Sequence, residues 1–270
     1  MKTTGPYDKN FEAILHASGI YGYPYIGPKT MSSVVPLNLE EMIERANEPR
    51  PSVTPVTIPS SIFELFKRSV MRAKNESEVV KYFVPILEGG IRVENQGSKN
   101  ISFSNSEPLT DANIEQRALV EGTPDRFYGT SFERLCEEHQ IFFLELKSPW
   151  GRQQTANFQA QYHGALGERG QIALRSWGHD ASVLDGKAHT ISCTFVSGTV
   201  RFYAIHAARD IDGRIKYFMH GIDAFVMDFS VLKFRNAIAA FQNLQNYSEE
   251  KRNEAIELAN TRAQEIREAS

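Results

Sequence analysis

The chain predicts an α+β domain, and three features of the sequence carry that prediction. Apolar residues recur at helical spacing between positions 60 and 90, and a short apolar run at 141–146 is stopped by Ser148 and Pro149. Two β-rich runs joined by glycine turns, at 190–206 and 214–220, then lead into an amphipathic stretch at 231–244. With 270 residues, 41% of them hydrophobic, the chain can bury one large core.

Residues 1–60 read as a proline-rich arm. Pro6, Pro24, Pro28, Pro36, Pro49, Pro51, Pro55 and Pro59 favour extended and turn segments and oppose long helices. One short helix is expected over 39–46, with Asn38 as its cap and Glu40 and Glu41 in its first turn. The run from Gly22 to Thr30 approaches a phosphate-binding loop, but Pro28 interrupts it and no apolar strand precedes it, so nucleotide binding is set aside. Its tyrosines are expected to pack the arm onto the main domain.

The main domain is assigned to 61–246. A first helix starts after Pro59, with Ser60 or Ser61 as cap and Ile62, Phe63, Leu65 and Phe66 as its apolar stripe. A second begins at Asn75 and places Val79, Tyr82, Phe83 and Ile86 on one face, with Pro85 expected to kink or close it. Residues 88–111 read as an irregular connection with short strands near 91–93 and 101–103, and 131–140 as a loop or helical turn. After Gly151, residues 153–175 form a helix whose Ala156, Ala160, Gly164 and Ala165 let it lie close on a sheet. The helix over 231–244 packs on the final strands, and Ser248 caps a separate polar helix in 247–270.

The run at 141–147 holds the chemistry. Alternation along a strand puts Ile141, Phe143, Glu145 and Lys147 on one face and Phe142, Leu144 and Leu146 on the other. A carboxylate and an ammonium at the end of an apolar strand are costly unless partnered. Asp125, on a strand expected to pair with this one, is the candidate partner.

Pro124 and Asp125, a spacer, and then Glu145, Leu146 and Lys147 on an apolar strand form a pattern that resembles the PD-(D/E)XK nuclease superfamily. The order of parts over 75–245 is similar to a narrower set, the nuclease-like domains of uncharacterised fungal proteins. It runs from Thr123, Pro124 and Asp125 through the Glu145–Lys147 strand and the small-residue helix to the pair ending at His206 and the helix with Phe234, Arg235 and Ile238.

The resemblance implies a restriction-endonuclease-like core, a central mixed β-sheet flanked by helices. It implies that Asp125, Glu145 and the backbone carbonyl of Leu146 hold Mg²⁺ or Mn²⁺, and that Lys147 helps to activate a water. An acidic residue on an early helix assists in that family, and Glu78 is assigned here, with Glu76 behind it. A glutamine on the helix after the strand, Gln154 or Gln161, stands near the site in some branches. The implied activity is hydrolysis of nucleic acid, DNA or RNA, and members often dimerise to cut both strands. The alternative is a nuclease-fold module that binds without cutting, with Glu145 and Lys147 surviving as a buried ion pair.

Charge and motifs narrow the classes. The net charge of −3 gives no general attraction to nucleic acid, although residues 147–175 carry Lys147, Arg152, Arg169 and Arg175 against Glu168 alone. No apolar run approaches the roughly 18 residues needed to cross a bilayer, and the first residues lack a signal-peptide core. An intracellular place, cytoplasmic or nuclear, is therefore expected. Cys136 and Cys193 make neither a disulfide framework nor a metal spacing, and His206 and His220 are read as structural. No His-Glu-x-x-His or Gly-x-Ser-x-Gly pattern supports a zinc or serine hydrolase.

Overall fold

A computed structural model describes residues 5–24, 35–89, 119, 121–129 and 140–269. The strands expected near 91–93 and 101–103, the segment 131–139 and Cys136 lie outside the described residues. Among those described, the order is α1 (Phe11–Ala17), β1 (Ile20–Tyr21), α2 (Leu39–Asn47), α3 (Ser60–Ser69), α4 (Glu76–Glu88), β2 (Arg126–Gly129) and β3 (Gln140–Leu146). Then come α5 (Gln153–Ser176), β4 (Ala188–Val196), β5 (Thr199–Arg209), β6 (Ile215–Val226) and α6 (Val231–Ala269).

The six described strands form one mixed sheet in the order β1-β6-β5-β4-β3-β2. β3 pairs antiparallel with β2 and parallel with β4, the two parallel strands being bridged by α5. Two hairpins follow. Ser197 and Gly198, both at positive φ, turn β4 into β5 as a two-residue hairpin requires, and the longer loop 210–214, with Gly213 at φ 78°, turns β5 into β6.

Helices cover both faces. On one face Phe142, Leu144 and Leu146 of β3 join Phe195, Phe202, Phe66, Phe83 and Phe241 in the main core. Phe83 lies against Phe195 with ring centroids 4.0 Å apart and planes tilted by 36°, and Phe142 meets Phe241 edge-on at 5.2 Å, an arrangement that adds to simple area burial. On the other face lies α5. A methyl group added at Gly164 would sit 2.5 Å from Ile205 Cγ1, and one at Gly167 2.5 Å from Phe143 Cε2. These two glycines let the helix backbone approach the sheet, as the small-residue pattern predicts.

Several sequence expectations are corrected. The segment read as an arm contributes to the fold: β1 adds a parallel edge strand, Ile20 opposite Tyr217, and Phe11 and Leu15 of α1 are fully buried against α5. Asn38 stands at the start of α2, but its side chain does not cap that helix. It donates to Ala188 O and to Tyr247 Oη, each at 2.9 Å, and accepts from Ala188 N, tying the segment to β4 and α6. Helix α4 is not closed at Pro85 but runs to Gly89, whose left-handed φ of 69° ends it.

The break expected before Ser248 is absent, and α6 is one helix of 39 residues. Asn243 and Tyr247, poor helix formers in the middle of it, are held by residues flanking α2 on both sides: Asn243 donates to Glu48 O and accepts from Arg50, while Tyr247 accepts from Asn38. Tertiary partners override local propensity here. No helix among the described residues is long and apolar enough to cross a membrane.

Candidate functional site

The alternation of β3 sorts its side chains between two worlds. Leu144 and Leu146 enter the main core, while Glu145 turns to the α5 face and is completely enclosed there. Its Oε1 lies 2.5 Å from Nδ1 of His163 on α5, itself buried, and its Oε2 has no hydrogen-bond partner among the described residues. An unpartnered carboxylate oxygen in a sealed position is expensive.

Asp125 immediately precedes β2 and reaches the end of β3. Its Oδ2 accepts the Leu146 backbone N–H at 2.7 Å and lies 3.7 Å from Lys147 Nζ. Lys147 Nζ also donates to Leu146 O at 3.1 Å and stands 3.1 Å from Glu76 Oε1 at the start of α4. The lysine backbone is fixed by donation to Phe195 O at 2.9 Å, extending the β3–β4 pairing by one residue. Its side chain is pinned by the turn that follows, where Gly151 donates to Ser148 O and a methyl group on Gly151 would meet Lys147 Cβ at 2.5 Å. Sequence reasoning passed over Gly151; its signal is the Pro-Trp-Gly turn directly after the lysine.

Of the residues assigned from sequence, Asp125, Leu146 and Lys147 thus meet at the β2–β3 junction. Glu145 is coupled to Asp125 electrostatically from the α5 side. Glu78 does not join them. It donates its backbone N–H to Asn75 Oδ1 at 2.9 Å and accepts from Lys74 N at 2.8 Å, a reciprocal cap that closes the start of α4. The acid from this helix that reaches the lysine is Glu76. His163 was missed; the one hint was that Glu145, buried on a strand, needed a polar partner. Gln161 donates to Ile20 O at 2.9 Å and serves the β1 edge, whereas Gln154 faces the same cleft as Lys147.

Electrostatics at the junction are asymmetric. Burial, and next the negative charge of Glu145, push the Asp125 carboxyl up to about 6 against the opposing pull of Lys147 and the Leu146 N–H. Burial pulls the Lys147 amine down. Asp125, Glu76 and Glu145 outweigh that and raise it above its ordinary value, so the amine stays charged.

A cleft of about 520 Å³ opens beside the lysine. Tyr7, Lys9, Glu76, Lys147, Trp150 and Arg152 are among its walls, with the first turn of α5 at one side; Asp125 and Glu145 are not among its lining residues. Asp125 keeps 23% of its side chain exposed, Lys147 only 3%.

These residues fit a hard divalent cation that keeps part of its water shell. Two carboxylates are the groups that could hold it: Glu145, one oxygen of which has no hydrogen-bond partner among the described residues, and Asp125, which is bonded to the Leu146 backbone. They do not make a full protein cage, and no group of three or more His, Cys, Asp or Glu with metal-holding geometry occurs among the described residues. No family model, curated protein or solved structure matches this chain.

Proposed function

We propose that this chain hydrolyses phosphodiester bonds in nucleic acid with the help of Mg²⁺ or Mn²⁺. The observation that carries the reading is the charged Lys147 amine, enclosed by Asp125, Glu76 and the Leu146 carbonyl at the wall of an open cleft. The fold agrees at a coarse level, being a mixed sheet flanked by helices with the acidic and basic residues at the end of one interior strand.

Asp125, Glu145 and Leu146 O would hold the ion, which when bound lowers the pKa of an attacking water and offsets phosphate charge. Lys147 contributes a fixed positive charge to the incoming hydroxide oxygen and the phosphate oxygens as the new P–O bond forms and the bond to the departing sugar oxygen breaks. Glu76 and Leu146 O orient the amine. His163 holds the Glu145 carboxylate in one rotamer. Because the lysine arrangement is already in place in the folded chain, little reorganisation is needed at the moment of reaction.

A second reading, binding without cleavage, is favoured by the enclosure of Glu145 against His163 and by both carboxylates standing outside the lining of the cleft. A cleavage assay separates the two. Single-stranded, double-stranded and structured DNA and RNA are incubated with Mg²⁺ or Mn²⁺, and wild type is compared with Lys147→Ala. Products from wild type alone support hydrolysis at this centre. Equal products from both proteins, or none from either, would overturn it.

A further inference from the structure

We propose that Trp150 and Tyr7 form a stacking clamp for an unpaired nucleobase, so that the cleft takes single-stranded nucleic acid rather than a duplex. The inference rests on the reading of the Lys147 centre as a nucleic-acid site. It concerns residues that neither the motif nor the proposed chemistry uses.

Trp150 is 87% exposed and Tyr7 74% exposed, yet both line the cleft that contains Lys147. A solitary exposed aromatic is ordinary; two on the walls of one cavity, from segments far apart in the chain, are less so. Neither rides on a slack segment. Trp150 lies in the turn held by Gly151 N to Ser148 O at 2.8 Å and by Ser197 Oγ to Pro149 O at 2.6 Å. Tyr7 lies in a turn closed by Asp8, whose backbone N–H donates to Gly5 O at 2.9 Å and whose Oδ2 accepts from Gly5 N at 2.8 Å. A planar side chain on a fixed turn gives up little freedom when a base stacks on it.

Charge does not decide between strand forms. The cleft lining has three cations, Lys9, Lys147 and Arg152, against the three carboxylates of Asp8, Glu12 and Glu76, and the chain as a whole is at −3. A neutral lining offers little attraction to the phosphates of either strand form. Stacking is the attraction that remains, and it demands a base freed from its pair. The volume, about 520 Å³, is that of a small-molecule pocket and suits a nucleotide or two, not a double helix.

The test measures anisotropy of a short fluorescein-labelled single-stranded oligonucleotide of mixed sequence, and of the same strand annealed to its complement, in EDTA so that nothing is cut. Wild type is expected to bind the single strand about tenfold more tightly than the duplex, and Trp150→Ala to lose about tenfold for the single strand. Trp150→Phe should recover most of that loss, and Tyr7→Ala should lose less than Trp150→Ala. Unchanged melting temperatures for all three variants show that folding is intact. Single-strand binding that ignores both aromatics, a preference for duplex, or no binding of either probe would overturn the proposal. Cleavage of the same strand with Mn²⁺ is scored in parallel. Trp150-dependent binding without cleavage retains the clamp and removes the hydrolase reading, whereas cleavage indifferent to Trp150 does the reverse.

Discussion

Helix α5 holds two buried acids in place, Glu145 of β3 and its own Glu168, and they differ in kind. Toward its first half, His163 meets Glu145, coupled to Asp125 and Lys147 at the wall of a cleft. Further along, Glu168 accepts the His189 backbone N–H at 3.2 Å and stands 3.5 Å from Arg175, with only 1% of its side chain exposed. Burial pushes Glu168 up to about 8, and it lifts Asp125 up to about 6. A perturbed carboxyl therefore does not by itself mark a functional centre. What separates the two is a charged amine shared among several acceptors, next to a space that a substrate can enter.

Four experiments would break or sharpen that contrast, beginning with the largest effect. Replacing Lys147 by alanine should lower strand cleavage by roughly 100- to 1,000-fold, measured in single turnover, because a fixed charge is removed from the reacting phosphate. Arg175→Ala, in the rear cluster, should leave the cleavage rate within about threefold of wild type, well inside one tenfold step of about 1.4 kcal/mol. An equal loss in both variants would dissolve the distinction.

Stability separates the centres next. His163→Ala strips from an enclosed carboxylate its one hydrogen bond among the described residues and should cost about 3 kcal/mol in urea unfolding. Glu168→Gln should act in the opposite direction at alkaline pH. Its folded pKa, raised from 4.5 to about 8, means that the folded chain holds this proton more tightly than the unfolded chain. The resulting stability is fully present below pH 4.5 and is lost as pH rises through about 8, with Asp125 adding a similar loss between 3.8 and about 6. The glutamine variant removes the larger part of this slope. A gain of about 2 kcal/mol over wild type at pH 8, shrinking toward pH 5, is expected from thermal melts.

The smallest contrast lies within α4. Glu78→Ala should cost about 1 kcal/mol of stability through the lost cap and leave the cleavage rate alone. Glu76→Ala should change the rate and its dependence on pH, since it frees one of the lysine's acceptors. If Glu78 proved to be the variant that slows cleavage, the placement of the lysine's partners would be wrong.

The parts visible in advance are those written in a period. Alternation in β3 separates Glu145 and Lys147 from Leu144 and Leu146, and the glycines and alanines of α5 mark the face that lies on the sheet. Asp125 could be matched to them because a charged strand end requires a partner. Hidden features depend on contacts distant in sequence. Helix α1 is seven residues long and would not hold alone; Phe11 is packed against Phe158 and Tyr162. The two-residue β1 exists only because β6 offers an edge. Glu76 and Glu78 occupy the same first turn, and only the packing of α4 decides which faces the lysine and which closes the cap.

Titration calorimetry with Mn²⁺ on wild type and Asp125→Ala tests the central claim most directly. Wild type should bind the ion at one site, with affinity falling as pH drops below about 6, where Asp125 takes up a proton instead, and the variant should bind none. No binding by wild type, or equal binding by both proteins, would contradict a metal-dependent centre at Asp125, Glu145 and Lys147.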